Sequence, residues 1–271
     1  MVGLTARLEG EESGVILPGF FGGDRVDISL PSPQEQLLEG VASTGKPLIV
    51  VLTSGSALAV NWAQEHAAAV LEAWYPGEEG GIAVAGVLAG DYNPAGRLPV
   101  TFYKSVSQLP SFTSYSMAGR TYRYFTEQPL YPFGYGLSYT SFRYKGAKVD
   151  QPQISADGAV TISARVTNTG KIAGDEVVEL YLSHPKVEGA PIRALAGLQR
   201  IHLDPGASQN VNFSLRNRDL STVDADGVRR IIPGDVKVWI GGGQPVVGSG
   251  QLPSPGAETE FKLTSDAILP E

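Results

Sequence analysis

The side chains suited to proton transfer cluster near the start of the chain, in Thr5-Ala-Arg-Leu-Glu-Gly-Glu-Glu-Ser13, where Glu9, Glu11 and Glu12 fall within four positions. In an extended loop Glu9 and Glu11 point one way and Glu12 the other. Crowded carboxylates oppose one another's ionisation, which helps one of them stay protonated as a general acid. The competing reading is a solvated acidic loop. The chain next passes Pro18-Gly-Phe-Phe-Gly-Gly-Asp-Arg25. Its glycines suit an anion cradle, but the Walker spacing and its lysine are missing. Phe20 and Phe21 either line a sugar site or plug the loop onto the body. His66, His184 and His202 are scattered without metal-ligand spacing, and there is no cysteine. Neither a metal nor a cofactor is therefore expected, and thiolate catalysis is excluded.

The elements that must position these groups follow in order. Met1-Val-Gly-Leu reads as the end of a strand whose front is missing, so Met1 is expected to be an expression start or a gene-fragment boundary. Ser32 to Ala42 is amphipathic, with Leu37, Leu38 and Val41 on one face. Ser32 with Glu35 forms a capping-box pattern, and Pro33 sits in the first turn. Lys46 to Thr53 is a continuous apolar run that suits a parallel strand covered on both faces. Ser54-Gly-Ser follows at its carboxyl end, where open α/β sheets place ligands. A short helical segment is predicted over Leu58–Trp62 and a strand over Ala67–Trp74. Pro76-Gly77 ends that strand. A thin, small-residue helix then runs from about Gly80 to Leu88, with Glu78 and Glu79 at its start and Gly90 as its stop. Asp91 to Gly96 is a turn, and an extended segment begins near Arg97.

Beyond Ser105 the chain becomes dense in aromatic residues, and from about Lys145 it alternates with period two. Val160, Ile162, Ala164 and Val166 share one strand face. Further strands are predicted over Glu176–Leu182, Leu195–Leu203, Asn210–Leu215 and Asp235–Gly241. About seven short strands separated by turns read as a β-sandwich.

Three motifs carry a resemblance: Trp74-Tyr-Pro-Gly-Glu-Glu-Gly-Gly; Gly90-Asp-Tyr-Asn-Pro-Ala-Gly-Arg-Leu-Pro; and Gly119-Arg-Thr-Tyr-Arg-Tyr-Phe with Pro129-Leu-Tyr-Pro-Phe-Gly-Tyr-Gly-Leu-Ser-Tyr-Thr-Ser-Phe142. In this order and spacing they resemble the carboxy-terminal half of glycoside hydrolase family 3, which holds β-glucosidases, β-xylosidases and related exo-acting enzymes. The resemblance covers essentially the whole chain. It implies a fold of α/β plus all-β class: a partial α/β layered sandwich domain followed by a fibronectin type III-like (immunoglobulin-like) β-sandwich. The expected domains are residues 1–104, the second half of the α/β sandwich; 105–143, an aromatic connector; 144–265, the β-sandwich; and 266–271, a tail.

The same resemblance implies a retaining mechanism, in which two carboxyl groups stand about 5–5.5 Å apart. The family's nucleophile is an Asp on an amino-terminal barrel that this chain does not contain. Its acid/base comes from a loop of the α/β domain, here the loop with Glu9, Glu11 and Glu12. Glu9 is the first expectation for that role and Glu11 the next. The expected partners are a β-linked glycoside or oligosaccharide and the barrel portion of the same enzyme, and the isolated chain is expected to be inactive. The alternative is a non-catalytic carbohydrate-binding or structural β-sandwich module.

Composition bounds these readings. The net charge is −7 with no basic block, so no nucleic-acid partner is expected. No apolar run approaches membrane-span length, so no membrane partner is expected, and no secretory leader pattern opens the chain. A half-domain leaves apolar surface exposed, which permits self-association.

Overall fold

In the computed structural model the described residues are 1–9, 14–22, 24–245 and 254–270. They form two units. The first comprises Met1–Tyr92, Val100–Ser116 and Glu127–Tyr131, and the second Asn93–Pro99, Met117–Thr126 and Pro132–Glu271.

The first unit is built on three parallel strands. They are β1 (Val2–Gly3), β4 (Ile49–Thr53) and β5 (Ala69–Glu72), in the order β1-β4-β5. Phe20–Phe21 (β2) and Asp24–Arg25 (β3) make a short antiparallel hairpin beside them. β4 is aliphatic and β-branched, and Val50, Val51 and Leu52 are all buried, as a strand covered on both faces requires. Val2 sits beside Leu52 and Gly3 beside Thr53. A Cβ on Gly3 would meet the Thr53 carbonyl oxygen at 1.9 Å, and its φ is +146°. Only glycine fits that close approach.

Three helices accompany the sheet: α1 (Ser32–Ala42), α2 (Asn61–His66) and α3 (Gly80–Ala89). The helix ends depart from expectation in two places. Pro31, with extended ψ of 133°, takes the N-cap position of α1, so Ser32 lies inside the helix and no side-chain cap forms. The capping box with Glu35 is therefore not made. α2 begins at Asn61 rather than Leu58, because Ala59 bridges Ser29 in extended form and Leu58, Ala59 and Val60 are buried there. α3 ends as predicted, on Gly90 in the left-handed conformation with φ of 83°. Of the three apolar residues expected on one face of α1, only Leu38 is buried. Leu37, Val41, Ile82 and Leu88 are exposed in this chain.

The second unit is a β-sandwich. β6 (Phe142–Val149), β7 (Gln153–Ile154), β8 (Val160–Asn168), β9 (Gly174–Ser183), β10 (Ala194–Leu203), β11 (Ser208–Leu215), β14 (Gly234–Gly241) and β15 (Gly256–Leu263) form its two sheets. β12 (Thr222–Val223), β13 (Arg229–Ile231) and β16 (Ala267–Ile268) form a small third one. One main sheet has the order β10-β9-β14-β15-β7 and the other β11-β8-β6. Their apolar faces make one core. Val160, Ile162, Ala164 and Val166 enter it from β8, and Val236, Val238 and Ile240 from β14. The period-two reading of β8 is thus the burial pattern observed.

Residues Asn93–Pro99, which overlap the expected turn Asp91–Gly96 and the start of the extended segment, group with the sandwich unit. Asn93 Oδ1 accepts from Ser138 Oγ (2.9 Å) and Tyr139 N (2.8 Å), and its Nδ2 donates to the Ala173 carbonyl (3.0 Å). Arg97 is buried beside Glu176 at 2.6 Å. Glu176 also accepts from Tyr144 Oη at 2.6 Å. The expected connector is likewise divided. Tyr131 packs edge-on to Phe102 in the first unit, and Tyr122 stacks on Phe133 at 4.3 Å in the second. Among the described residues no helix is long and apolar enough to cross a membrane.

Candidate active site

The carboxyl ends of the three parallel strands converge on one carboxylate. After β1, Leu4 N still donates to the Thr53 carbonyl (2.7 Å), and a turn through Thr5 then returns Glu9 over the end of β4. α1 fixes the base of this arrangement: Gln34 pairs with both the N–H and the carbonyl of Gly3, at 2.6 and 2.7 Å.

Four donors meet the Glu9 carboxylate. Oε1 accepts from Ser54 Oγ (3.3 Å) and from Ser56 Oγ, and Oε2 accepts from Gly55 N (2.8 Å) and from Tyr75 Oη. Three of them come from the Ser-Gly-Ser turn that follows β4. Gly55 is required there, because a Cβ would approach the Tyr75 ring to 2.8 Å and Glu9 Oε2 to 3.1 Å.

The fourth donor is delivered by β5. Glu72 Oε1 accepts from Trp74 N at 2.9 Å, and Trp74 takes a φ of 52°, rare for a bulky residue. Such a conformation costs on the order of 1–3 kcal/mol and persists only where its surroundings impose it. The reversal carries Tyr75 back toward Glu9. On the other side Arg25 donates to Ser56 Oγ (3.0 Å), to the Ala57 carbonyl (3.1 Å) and to the Ser29 carbonyl (3.1 Å). Burial lowers the pKa of the Arg25 guanidinium, against the charges of Glu9 and Asp27, which favour its ionised form.

The two carboxyl groups are pushed in opposite directions. Burial works to raise Glu9, but the hydrogen bonds from Ser56, Tyr75, Gly55 and Ser54 outweigh it and hold the group below the usual carboxylate range. Glu72 is pushed up to about 7 by burial and, to a lesser degree, by the charge of Glu9, against the pull of the Trp74 N–H. Its Oε2 is buried without a hydrogen-bond partner. Burial and the Glu9 carboxylate also push the Tyr75 phenol up to about 12. The site thus holds a fixed negative charge, a carboxyl group poised near neutrality and a guanidinium, at the end of a parallel sheet where α/β folds bind ligands.

Of the acidic residues singled out in the sequence, Glu9 lies at this point, whereas Glu11 and Glu12 lie outside the described residues. The glycine loop forms the β2–β3 hairpin. Phe21 is 77% exposed and so does not plug the loop onto the body. Phe20 and Phe21, with Val15, Ile16 and Leu17, line an open apolar groove. Sequence alone does not single out Arg25, Glu72 and Tyr75 as site residues. The available signal was topological: parallel order β1-β4-β5 sets the residues after Glu72 beside those after Thr53. Among the described residues no cluster of potential metal ligands forms.

A layered α/β body followed by a β-sandwich, with a carboxylate held at the strand ends, defines the class of protein. Residues 1–139 match the glycosyl hydrolase family 3 C-terminal domain, and residues 176–244 match the fibronectin type III-like domain. The chain belongs to glycoside hydrolase family 3. It is 44% identical to a xylan 1,4-beta-xylosidase of Xylanibacter ruminicola over 88% of its own length and 28% of that protein's. It is 40% identical to a periplasmic beta-glucosidase of Salmonella typhimurium over 80% of its own length and 30% of that protein's. A solved β-glucosidase from Erythrobacter marinus, 37% identical, superposes with a TM-score of 0.77 over 91% of this chain and 32% of the other. The chain therefore spans less than a third of the length of each of these three relatives.

Proposed function

We propose that this chain is the acid/base-bearing portion of a retaining, exo-acting β-glycosidase that removes terminal β-linked glucose or xylose. Its attacking Asp belongs to an amino-terminal barrel portion, which is its partner in catalysis. The observation that carries this reading is the placement of Glu9, the first glutamate of the acidic segment. Its carboxylate is tied to the turn after β4 and to Tyr75 after β5, at the strand ends where α/β folds bind ligands.

Retention requires one carboxyl group that first protonates the departing oxygen and then activates water. A proton donor must hold its proton at the start. The four donors around Glu9 favour its ionised form, so they support an anchoring role for Glu9 and leave proton donation to its neighbour Glu11. Xylose and glucose are both kept as substrates, because the relatives include a xylosidase and a glucosidase.

The test is hydrolysis of chromogenic aryl β-xylosides and β-glucosides by the chain alone and mixed with a barrel-bearing portion. Turnover only in the mixture supports the proposal. Substantial turnover by the pure chain contradicts it, and sugar binding without turnover in either sample points to a non-catalytic module.

A further inference from the structure

We infer that Glu9 is a positioning residue, a carboxylate anchor that pins the acidic loop to the Ser54–Gly55–Ser56 turn and to Tyr75, and not the group that donates the catalytic proton. The inference rests on the proposed glycosidase reading, but its structural half stands independently of that reading.

Oε2 accepts from the Gly55 amide and the Tyr75 hydroxyl, and Oε1 from the Ser56 hydroxyl, while the Ser54 hydroxyl is shared between Oε1 at 3.3 Å and the Ser56 carbonyl at 2.8 Å. A carboxylate oxygen has about two lone-pair directions. Oε2 is thus fully engaged, and a proton on either oxygen would have to displace a donor or rotate a hydroxyl. The partners are themselves held in place. Arg25 grips Ser56, and the Glu72–Trp74 hydrogen bond sets the backbone reversal that aims Tyr75. The mechanical effect of this collar is to join two segments 46 residues apart in sequence, the loop after β1 and the turn after β4. A proton donor elsewhere in the same loop would inherit its position from this joint, and a displacement of about 1 Å can cost about 10²-fold in rate.

Two experiments on the full chain test this. With the barrel portion added, Glu9→Gln is compared on 4-nitrophenyl and 2,4-dinitrophenyl β-glycosides, with and without azide. An anchor acts through the group it positions, so Tyr75→Phe and Ser56→Ala, which leave the Glu9 carboxyl in place, should reproduce the loss of Glu9→Gln, near 10²-fold on the 4-nitrophenyl substrate. A loss confined to Glu9→Gln, with azide restoring its turnover as a β-glycosyl azide and both other variants near wild type, would identify Glu9 as the acid/base and overturn the inference. On the chain alone, proteolytic cleavage within residues 5–22 is followed for wild type, Glu9→Gln, Ser56→Ala and Tyr75→Phe. Faster cleavage in all three variants at unchanged global stability is expected, and unchanged cleavage would overturn the anchor. If the mixture shows no glycosidase activity at all, the functional reading fails while the cleavage result still decides the anchor.

Discussion

The Gly55 amide donates to Glu9 Oε2 at 2.8 Å, tying the turn after the central strand to the acidic loop that follows the first. This contact requires a residue without a side chain, because a Cβ at position 55 would stand 2.8 Å from the Tyr75 ring. Gly55→Ala should therefore displace Tyr75 from Glu9. Overpacking of this kind typically costs about 1–3 kcal/mol. Thermal unfolding should register that loss, and the complemented enzyme should lose activity together with the Tyr75→Phe variant, without additivity between the two.

Glu72 gives a pH signature. Its folded value of about 7 lies above the ordinary 4.5, so the folded chain holds this proton more tightly than the unfolded chain. Its contribution to stability is complete below about pH 4.5 and is lost as pH rises through 7. The loss amounts to ~3 kcal/mol at the scale of 1.36 kcal/mol per pH unit. Glu72→Gln keeps an acceptor for the Trp74 N–H and cannot ionise. The stability difference between variant and wild type, measured by urea unfolding, should therefore swing toward the variant between pH 5 and 8. A difference that stays flat across that range would contradict the assignment.

The Arg97–Glu176 pair tests the second unit. Burial pushes the Glu176 carboxyl up, while Arg97 and Tyr144 pull it back toward ionisation. The 2.6 Å contact and the near-complete burial of both side chains support treating the pair as ionic. Removing one member of a buried pair leaves an uncompensated charge and costs about 3–5 kcal/mol. Arg97→Met should reach that range in urea unfolding, and the double change Arg97→Met with Glu176→Leu should recover part of it. Equal losses in the single and double variants would show that the pair acts through packing alone.

Asn168 is a second lever in the same unit. It is fully buried, and its side chain accepts from Thr140 Oγ1 (2.7 Å) and donates to the Ile172 and Leu203 carbonyls (2.8 and 2.9 Å). Asn168→Ala leaves those groups unpaired at about 1–3 kcal/mol each when water cannot replace the partner. A fall in the thermal midpoint of the chain is expected, and an unchanged midpoint would mean that water satisfies them.

Legibility followed the range of the forces involved. The sandwich strands could be read because alternation is local: Val160, Ile162, Ala164 and Val166 announce their shared face within seven residues. The aliphatic run of β4 announced a covered strand for the same reason. The start of α1 misled, because Pro31 competes with Ser32 for the N-cap and only backbone geometry decides between them. The turn from Asp91 to Gly96 was legible, but the membership of Asn93–Pro99 in the sandwich unit depends on Arg97 meeting Glu176, 79 residues away. Glu9 could be singled out by the crowding of acidic residues. Its collar could not, since Arg25, Ser56, Glu72 and Tyr75 meet only through parallel strand order.

The central claim is that this chain supplies the proton-transferring half of a retaining glycosidase from its acidic loop. Its most direct test is azide rescue of Glu11→Gln in the chain assembled with a barrel portion, using a 2,4-dinitrophenyl β-glycoside. The account predicts slow deglycosylation that azide accelerates, with a β-glycosyl azide as product. Wild-type turnover by Glu11→Gln, or a loss that azide leaves untouched, would contradict it.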